Sequence, residues 1–143
     1  METEFSSKLV QDYLNEKEVG VLATINPDGS PLAMPMWFVR DSDSLALVSQ
    51  ADDMKIRNLH RDPRVGFVVE SGSGNSIACI ILQGSVRFLT SESDRSQVGT
   101  RFIDKYGTQM VERWNGRSVP ESRALFRIEP RRVKVWGALV SPE

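Results

Sequence analysis

Apolar residues Phe5, Leu9, Val10, Tyr13 and Leu14 recur at helical spacing, which predicts a short amphipathic helix within Phe5 to Lys17, capped by Ser6 or Ser7. With one apolar stripe, it is expected to lie across the mouth or side of a sheet. From Val19 to Ile25 the pattern changes to alternation, with Val19, Val21, Ala23 and Ile25 set against Gly20, Leu22 and Thr24. Asn26-Pro-Asp-Gly-Ser30 follows, which makes a strand and a hairpin turn. The return strand, Pro31 to Arg40, carries Pro31 and Pro35. Proline cannot donate to a ladder, so these residues belong at an edge, a bulge or a gap that faces a ligand. Asp41 to Ser44 reads as the next turn, Leu45 to Ser49 as a third strand, Asp52 to Arg61 as a short helix and Arg64 to Glu70 as a fourth strand. Ser71 to Asn75 is a flexible hairpin loop.

The stretch from Ser76 to Thr90 places Ala78, Ile80, Leu82, Val86 and Phe88 on one face, while Ile77, Cys79 and Ile81 make part of the other face apolar as well. A strand of this kind is buried on both sides, and a partner subunit is the expected cover for the second. Val98, Phe102, Ile103, Tyr106 and Met110 fit the 3.6-residue period and predict a helix from Glu92 to Arg113, although Gly99 and Gly107 weaken its propensity. Trp114 to Pro120 is a loop, and Ala124 to Glu129 and Arg132 to Leu139 are two final strands separated by Pro130-Arg131. No repeat or linker interrupts residues 1–143, which are expected to form a single domain. About six to seven antiparallel strands joined by tight turns, with helices at strand ends, predict a mainly β fold with some α structure. The architecture is a small, closed or nearly closed β-barrel with flanking helices.

Composition narrows the function. The 143 residues hold 18 Lys+Arg against 19 Asp+Glu, and a near-neutral domain of this kind is not a dedicated nucleic-acid binder. One Cys and one His exclude an internal disulfide and a Cys/His zinc cage. No segment reaches the roughly 18 consecutive apolar residues of a membrane span, and the polar start lacks a leader's apolar core, so the expected setting is cytoplasmic.

The charge is neutral in sum but sorted along the chain. Nine of the eighteen cations fall in two windows, Lys55 to Arg64 and Arg123 to Lys134. The first window opens a helix just after the strand end Leu47-Val-Ser-Gln50. There the Ser49 hydroxyl, free backbone N–H groups, Lys55 and Arg57 could converge on one dianionic phosphate, or the cations could simply solvate a helix face. Trp37, beside Met34 and Met36, and Trp136, after the second basic window, are candidate walls for a planar ring and equally candidate core or interface aromatics. His60 reads as a surface helix residue and Cys79 as a buried inert thiol. Asp41, Asp43, Asp52, Asp53, Glu92 and Asp94 fall in turns and at helix starts, where capping explains them. Hydrolase, P-loop, dinucleotide and zinc-protease motifs are all missing, so an enzyme with this sequence must take its hard chemistry from a cofactor.

The succession Leu22-Ala-Thr-Ile-Asn-Pro-Asp-Gly-Ser-Pro31, Pro35-Met-Trp-Phe38, Ser49 to Lys55, Asn58-Leu-His-Arg-Asp-Pro-Arg-Val65, Gln83-Gly-Ser-Val86 and Ile128-Glu-Pro-Arg-Arg-Val-Lys-Val-Trp136 resembles the pyridoxamine 5′-phosphate oxidase-like family of split β-barrel flavoproteins. It is most similar to the branch of FMN- or F420-dependent oxidoreductases. The resemblance implies a homodimer with two cofactor sites at the subunit interface, where Met34, Pro35, Met36 and Trp37 run along the ring. Val48, Ser49, Lys55 and Arg57 would hold the phosphate, and Trp136 of the second subunit would face the cleft. True pyridoxamine phosphate oxidases carry an Arg/Lys-rich ring strand, a Ser-Arg-Lys phosphate triplet and a Gln on the next long strand. Here Met34 to Val39, Asp53-Met54-Lys55 and the Cys79 region stand in those places, which points away from vitamin B6 oxidation. The implied activity is hydride transfer between a bound flavin-type cofactor and a small conjugated substrate. The alternative is a non-catalytic flavin- or haem-binding carrier or sensor, in which His60 would be the simplest haem ligand.

Overall fold

A computed structural model describes residues 2–139. Its elements are β1 (Glu2–Thr3), α1 (Lys8–Glu16), β2 (Val19–Ile25), β3 (Pro31–Trp37), β4 (Val39–Asp41), β5 (Ser44–Gln50), α2 (Met54–Arg61), β6 (Arg64–Ser71), β7 (Ala78–Leu89), α3 (Glu92–Tyr106), α4 (Gln109–Trp114) and β8 (Arg123–Gly137). The strands form one antiparallel sheet in the order β3-β2-β6-β7-β8-β5-β4, with β1 added to β8. β3 and β4 stand at opposite ends of that order and yet are joined by one residue, Phe38. The sheet must therefore curl until its two edges nearly meet. Closure stops short, because β4 pairs only Val39–Asp41 with Ser44–Ala46, and beyond that point β5 pairs with β8 alone. The gap between the end of β3 and the end of β5 is the split in this split β-barrel.

Alternation decides what fills the barrel. Leu22, Phe67, Val69, Ile80, Leu82, Val133 and Val135 point inward and are buried. Phe38 and Phe67 meet edge to face with ring centroids 5.3 Å apart. α1 covers one side of this core with Val10, Tyr13 and Leu14, and Ser7 caps it by accepting from the Val10 N–H at 3.3 Å. α2 follows β5 directly and inserts Ile56 and Leu59 into the same core. A second cluster lies outside the barrel, where α3 and α4 place Val98, Phe102, Ile103, Met110 and Trp114 against Val39, Ala46 and Leu125.

Four sequence expectations change. The helix expected over Glu92 to Arg113 is two helices, broken where Gly107 takes φ 96°, a left-handed conformation that glycine adopts without strain. The two final strands are one, because Pro130-Arg131 makes a bulge and not a turn: Gln83 pairs with Arg132 and Gly84 with Pro130. Gly84 permits this close approach, since a Cβ there would lie 2.2 Å from the Glu129 carbonyl oxygen. The return strand is divided at Phe38 into β3 and β4, and β1 lies in a segment where periodicity gave no strand.

The Phe38 crossing is held by α3. The Phe38 N–H donates to the Tyr106 hydroxyl oxygen at 2.9 Å, and that hydroxyl donates to the Glu18 carbonyl at 2.7 Å. Lys105 Nζ donates to the carbonyls of Leu14 (3.1 Å) and Phe38 (3.0 Å) and sits 3.8 Å from the Phe38 ring centroid. Trp37 stacks on Tyr106 at 4.6 Å with the rings 7° apart. Burial pushes the Tyr106 phenol up to about 12 and the Lys105 ammonium down to about 8, the latter against a smaller opposing pull from Glu18.

Two outcomes are expected. Tyr106→Phe leaves the Phe38 N–H without its acceptor and lowers stability by about 1–3 kcal/mol in urea unfolding. Lys105 binds its proton less tightly folded, near 8, than unfolded, near 10.5, so between those values the unfolded chain holds more protons. The stability of the natural protein relative to Lys105→Met therefore rises from pH 8 to pH 10. A flat or falling difference in unfolding midpoints contradicts this.

Candidate functional site

Two cavities meet at Asp53 and Lys55. The first, about 310 Å³, occupies the split: Pro35, Met36 and Trp37 of β3 form one wall and Val48, Ser49 and Gln50 of β5 the other. Phe102, Met110, Arg113 and Trp114 of the outer helices close it, and Arg123 enters from the start of β8. The second, about 580 Å³, lies on the other side of Lys55 and is lined by Asn26, Pro27, Asp28, Leu32, Met34 and Met54.

Of the residues singled out in the sequence, Pro35, Met36, Trp37, Val48, Ser49 and Lys55 line the first cavity, and Met34 lines the second. Arg57 and Trp136 line neither. Arg57 is exposed, because two residues round an α-helix is a turn of about 200° and carries it away from the face that buries Lys55. Arg113 and Arg123 are the further cations that border the first cavity. Arg123 belongs to the second basic window and so had a sequence signal; Arg113 and Trp114 had none, lying at the expected boundary of helix and loop. Trp136 is 56% exposed on the outer face of β8, opposite Cys79.

Lys55 is placed by its helix. Asn58, one turn on and fully buried, donates to Thr24 Oγ1 (3.0 Å) and Asn26 Oδ1 (2.9 Å) and accepts from Arg61, which also bonds the Ile25 carbonyl. This network fixes α2 against the end of β2 and the hairpin turn. The Lys55 side chain is 8% exposed, and its ammonium donates to Asp53 Oδ2 at 2.8 Å. The same oxygen accepts from Ser49 Oγ at 3.0 Å. The Lys55 hydrogen bond above all, helped by Ser49 and Arg123, holds the Asp53 carboxyl below its usual range against a smaller effect of burial. The capping role expected for Asp53 is absent, since its side chain accepts from no backbone N–H of the helix it precedes. Asp41 is likewise no turn residue of the ordinary kind: it is buried and paired with Arg127 at 2.7 Å and Arg101 at 3.3 Å.

Three cations and a hydroxyl against one carboxylate make the first cavity electropositive. Apart from Gln50 its walls are otherwise apolar and aromatic, and the Arg113 guanidinium lies 5.0 Å from the Trp37 ring centroid. Such a site takes a ligand with an anionic end and a flat apolar body. No group of three or more potential metal ligands occurs among the described residues. His60 stacks on Phe88 at 4.0 Å, away from both cavities.

The pyridoxamine 5′-phosphate oxidase family model matches residues 6–137. The chain belongs to this family. A conserved hypothetical protein of Mycobacterium tuberculosis, Rv2991, is 26% identical over 96% of this chain and 89% of its own, with a TM-score of 0.81. An FAD-binding protein of Mesorhizobium loti shares 22% identity over 90% and 93% of the two chains at a TM-score of 0.68. The haem storage protein HutZ of Vibrio cholerae shares 16% over 94% and 95% at 0.73. At those identities the last two share the fold of this member of the pyridoxamine 5′-phosphate oxidase family. None of its described helices is long and apolar enough to cross a membrane.

Proposed function

We propose that the protein is an oxidoreductase that binds FMN or F420 in the split and transfers hydride to or from a small conjugated substrate. The observation that carries this reading is the junction of a buried ammonium and a hydroxyl, Lys55 and Ser49, with the apolar wall Pro35 to Trp37 in one cavity. Membership of the family supports it. The donor set fits a phosphate-bearing ring: Lys55, Ser49 and Arg123 suit the phosphate, and Met36, Trp37 and Trp114 suit an apolar ring system. When bound, the ring supplies the hydride chemistry. The chain's own part is to hold the ligand, to orient it along β3 and to keep water from the wall between Trp37 and Trp114. This division of labour agrees with a cavity that contains no histidine and one carboxylate. The haem reading gains nothing from His60, which stands outside both cavities.

The working unit is proposed to be a homodimer with the cofactor sites at the subunit interface. Val19, Val21, Ile81 and Trp136 expose between 36% and 56% of their surface on the outer face of the sheet. Strand pairing sets Pro35, Val21, Val68 and Ile81 in one row, which runs from the cavity wall across that face. A second copy covering the row would also border the cavity and could bring its Trp136 towards it, which supports the homodimer as the form that completes the site.

Purified protein titrated with FMN and F420 by fluorescence is expected to bind one of them at micromolar concentration or below. Failure to bind either removes the reading. Lys55→Ala should weaken that binding by about 1.5–3 kcal/mol, the range of a charged hydrogen bond; unchanged affinity returns Lys55 to a structural role. In sedimentation velocity the natural protein should run as a dimer and Ile81→Arg as monomer, with weaker cofactor binding. A monomeric natural protein contradicts the interface.

A further inference from the structure

The proposed phosphate site contains one group that opposes an anion. Asp53 has the extended backbone of a helix N-cap, φ −64° and ψ 151°, yet its carboxylate makes no capping bond. Aspartate at that position normally accepts from the first-turn N–H groups. Here a single oxygen, Oδ2, accepts from both Ser49 Oγ and Lys55 Nζ, at 3.0 and 2.8 Å. Those are the donors a ligand phosphate needs. Asp53 is also the one carboxylate lining the first cavity, and its side chain is 38% exposed, so it both faces the ligand and holds the ligand's partners.

We infer that Asp53 tunes the charge of the phosphate this site accepts, reducing the advantage that a doubly charged phosphomonoester would otherwise have over a singly charged phosphodiester. An incoming phosphate shares Lys55 and Ser49 with a carboxylate a few ångströms away, and each negative charge it carries is repelled once. At that separation one such pair is worth about tenfold or more in binding even when solvent screens it. A monoester meets the repulsion twice and a diester once. Lys55, Arg113 and Arg123 attract the doubly charged form about twice as strongly as the singly charged one, so Asp53 offsets part of an advantage that the cations give the monoester. The Lys55 and Ser49 hydrogen bonds keep the carboxylate ionised at neutral pH, so proton uptake does not relieve the conflict. The inference rests on the cofactor reading above and deepens it, because FMN carries a phosphomonoester and F420 a phosphodiester.

The test compares two ligands that differ by one charge: the 5′-phosphate and its methyl ester, built on whichever ring binds in the titration above. It is run at pH 8, above the second phosphate pKa of about 6. The quantity read is the ratio of monoester to methyl ester affinity in the natural protein and in its Asp53 variants. Asp53→Asn should tighten the monoester by more than the ester, raising the ratio in favour of the monoester by about tenfold. Asp53→Ser should do the same, and it keeps the test decisive if the first variant does not fold. A ratio of monoester to ester affinity that is unchanged in the folded variants overturns the role of Asp53 and leaves the cofactor reading standing. Failure of both rings to bind in any form removes the cofactor reading, and this inference with it.

Discussion

The fixing of the chain at Phe38 is the constraint on which the rest of this structure depends. One residue carries the backbone from β3 to β4, which lie at opposite ends of the sheet. A crossing that short leaves polar backbone groups in a buried place, and buried groups without partners are costly. Tyr106 and Lys105 of α3 provide the partners, at 2.9 and 3.0 Å. The same helix thereby closes the barrel, stacks Tyr106 on Trp37 and sets one side of the cavity. Closure and site are thus a single arrangement: the edges are brought together at Phe38, and the space that remains between β3 and β5 becomes the binding cavity.

Electrostatics within that space is local. The protein as a whole is nearly neutral, and the far ends of the basic windows solvate the surface or pair with acids, as Arg64 does with Asp62 and Arg132 with Glu2. Lys55 differs because the α2 backbone, locked to β2 and the hairpin turn through Asn58, holds its stem in the barrel mouth. A buried ammonium needs a partner, and Asp53 is that partner. The pair keeps the site organised, at the expense of competition with any anion that enters.

The sheet is used on both sides. Inward residues of β2, β6 and β7 make the core, while Val19, Val21 and Ile81 remain exposed on the other face. Apolar residues on both faces of β7 were visible in its alternation, and the structure supplies the reason they matter: the exposed row continues to Pro35 at the cavity. The aromatic content follows the same logic, with Trp37 and Trp114 turned to the cavity and Trp136 to the outside.

Much of this was legible in sequence, because strands alternate with period two, helices with period 3.6, and turns need Pro, Gly, Asn and Asp. Those local rules marked α1, β2, the hairpin turn, β5, α2 and β7; the first basic window marked Ser49 and Lys55, and the family resemblance implied the Pro35 to Trp37 wall. They misread Pro130-Arg131, where a bulge admitted the proline into a continuous strand, and the run from Glu92 to Arg113, where Gly107 breaks a helical period that continues across the break. The sequence by itself determined most of the elements, the family resemblance and the side chains suited to an anion. Only the tertiary structure decided that Arg57 turns away while Arg113 and Arg123 turn in, and that Asp53 abandons its cap for Lys55. Those outcomes depend on how separate elements are rotated about one another, and the curl of the sheet through Phe38 fixes that rotation.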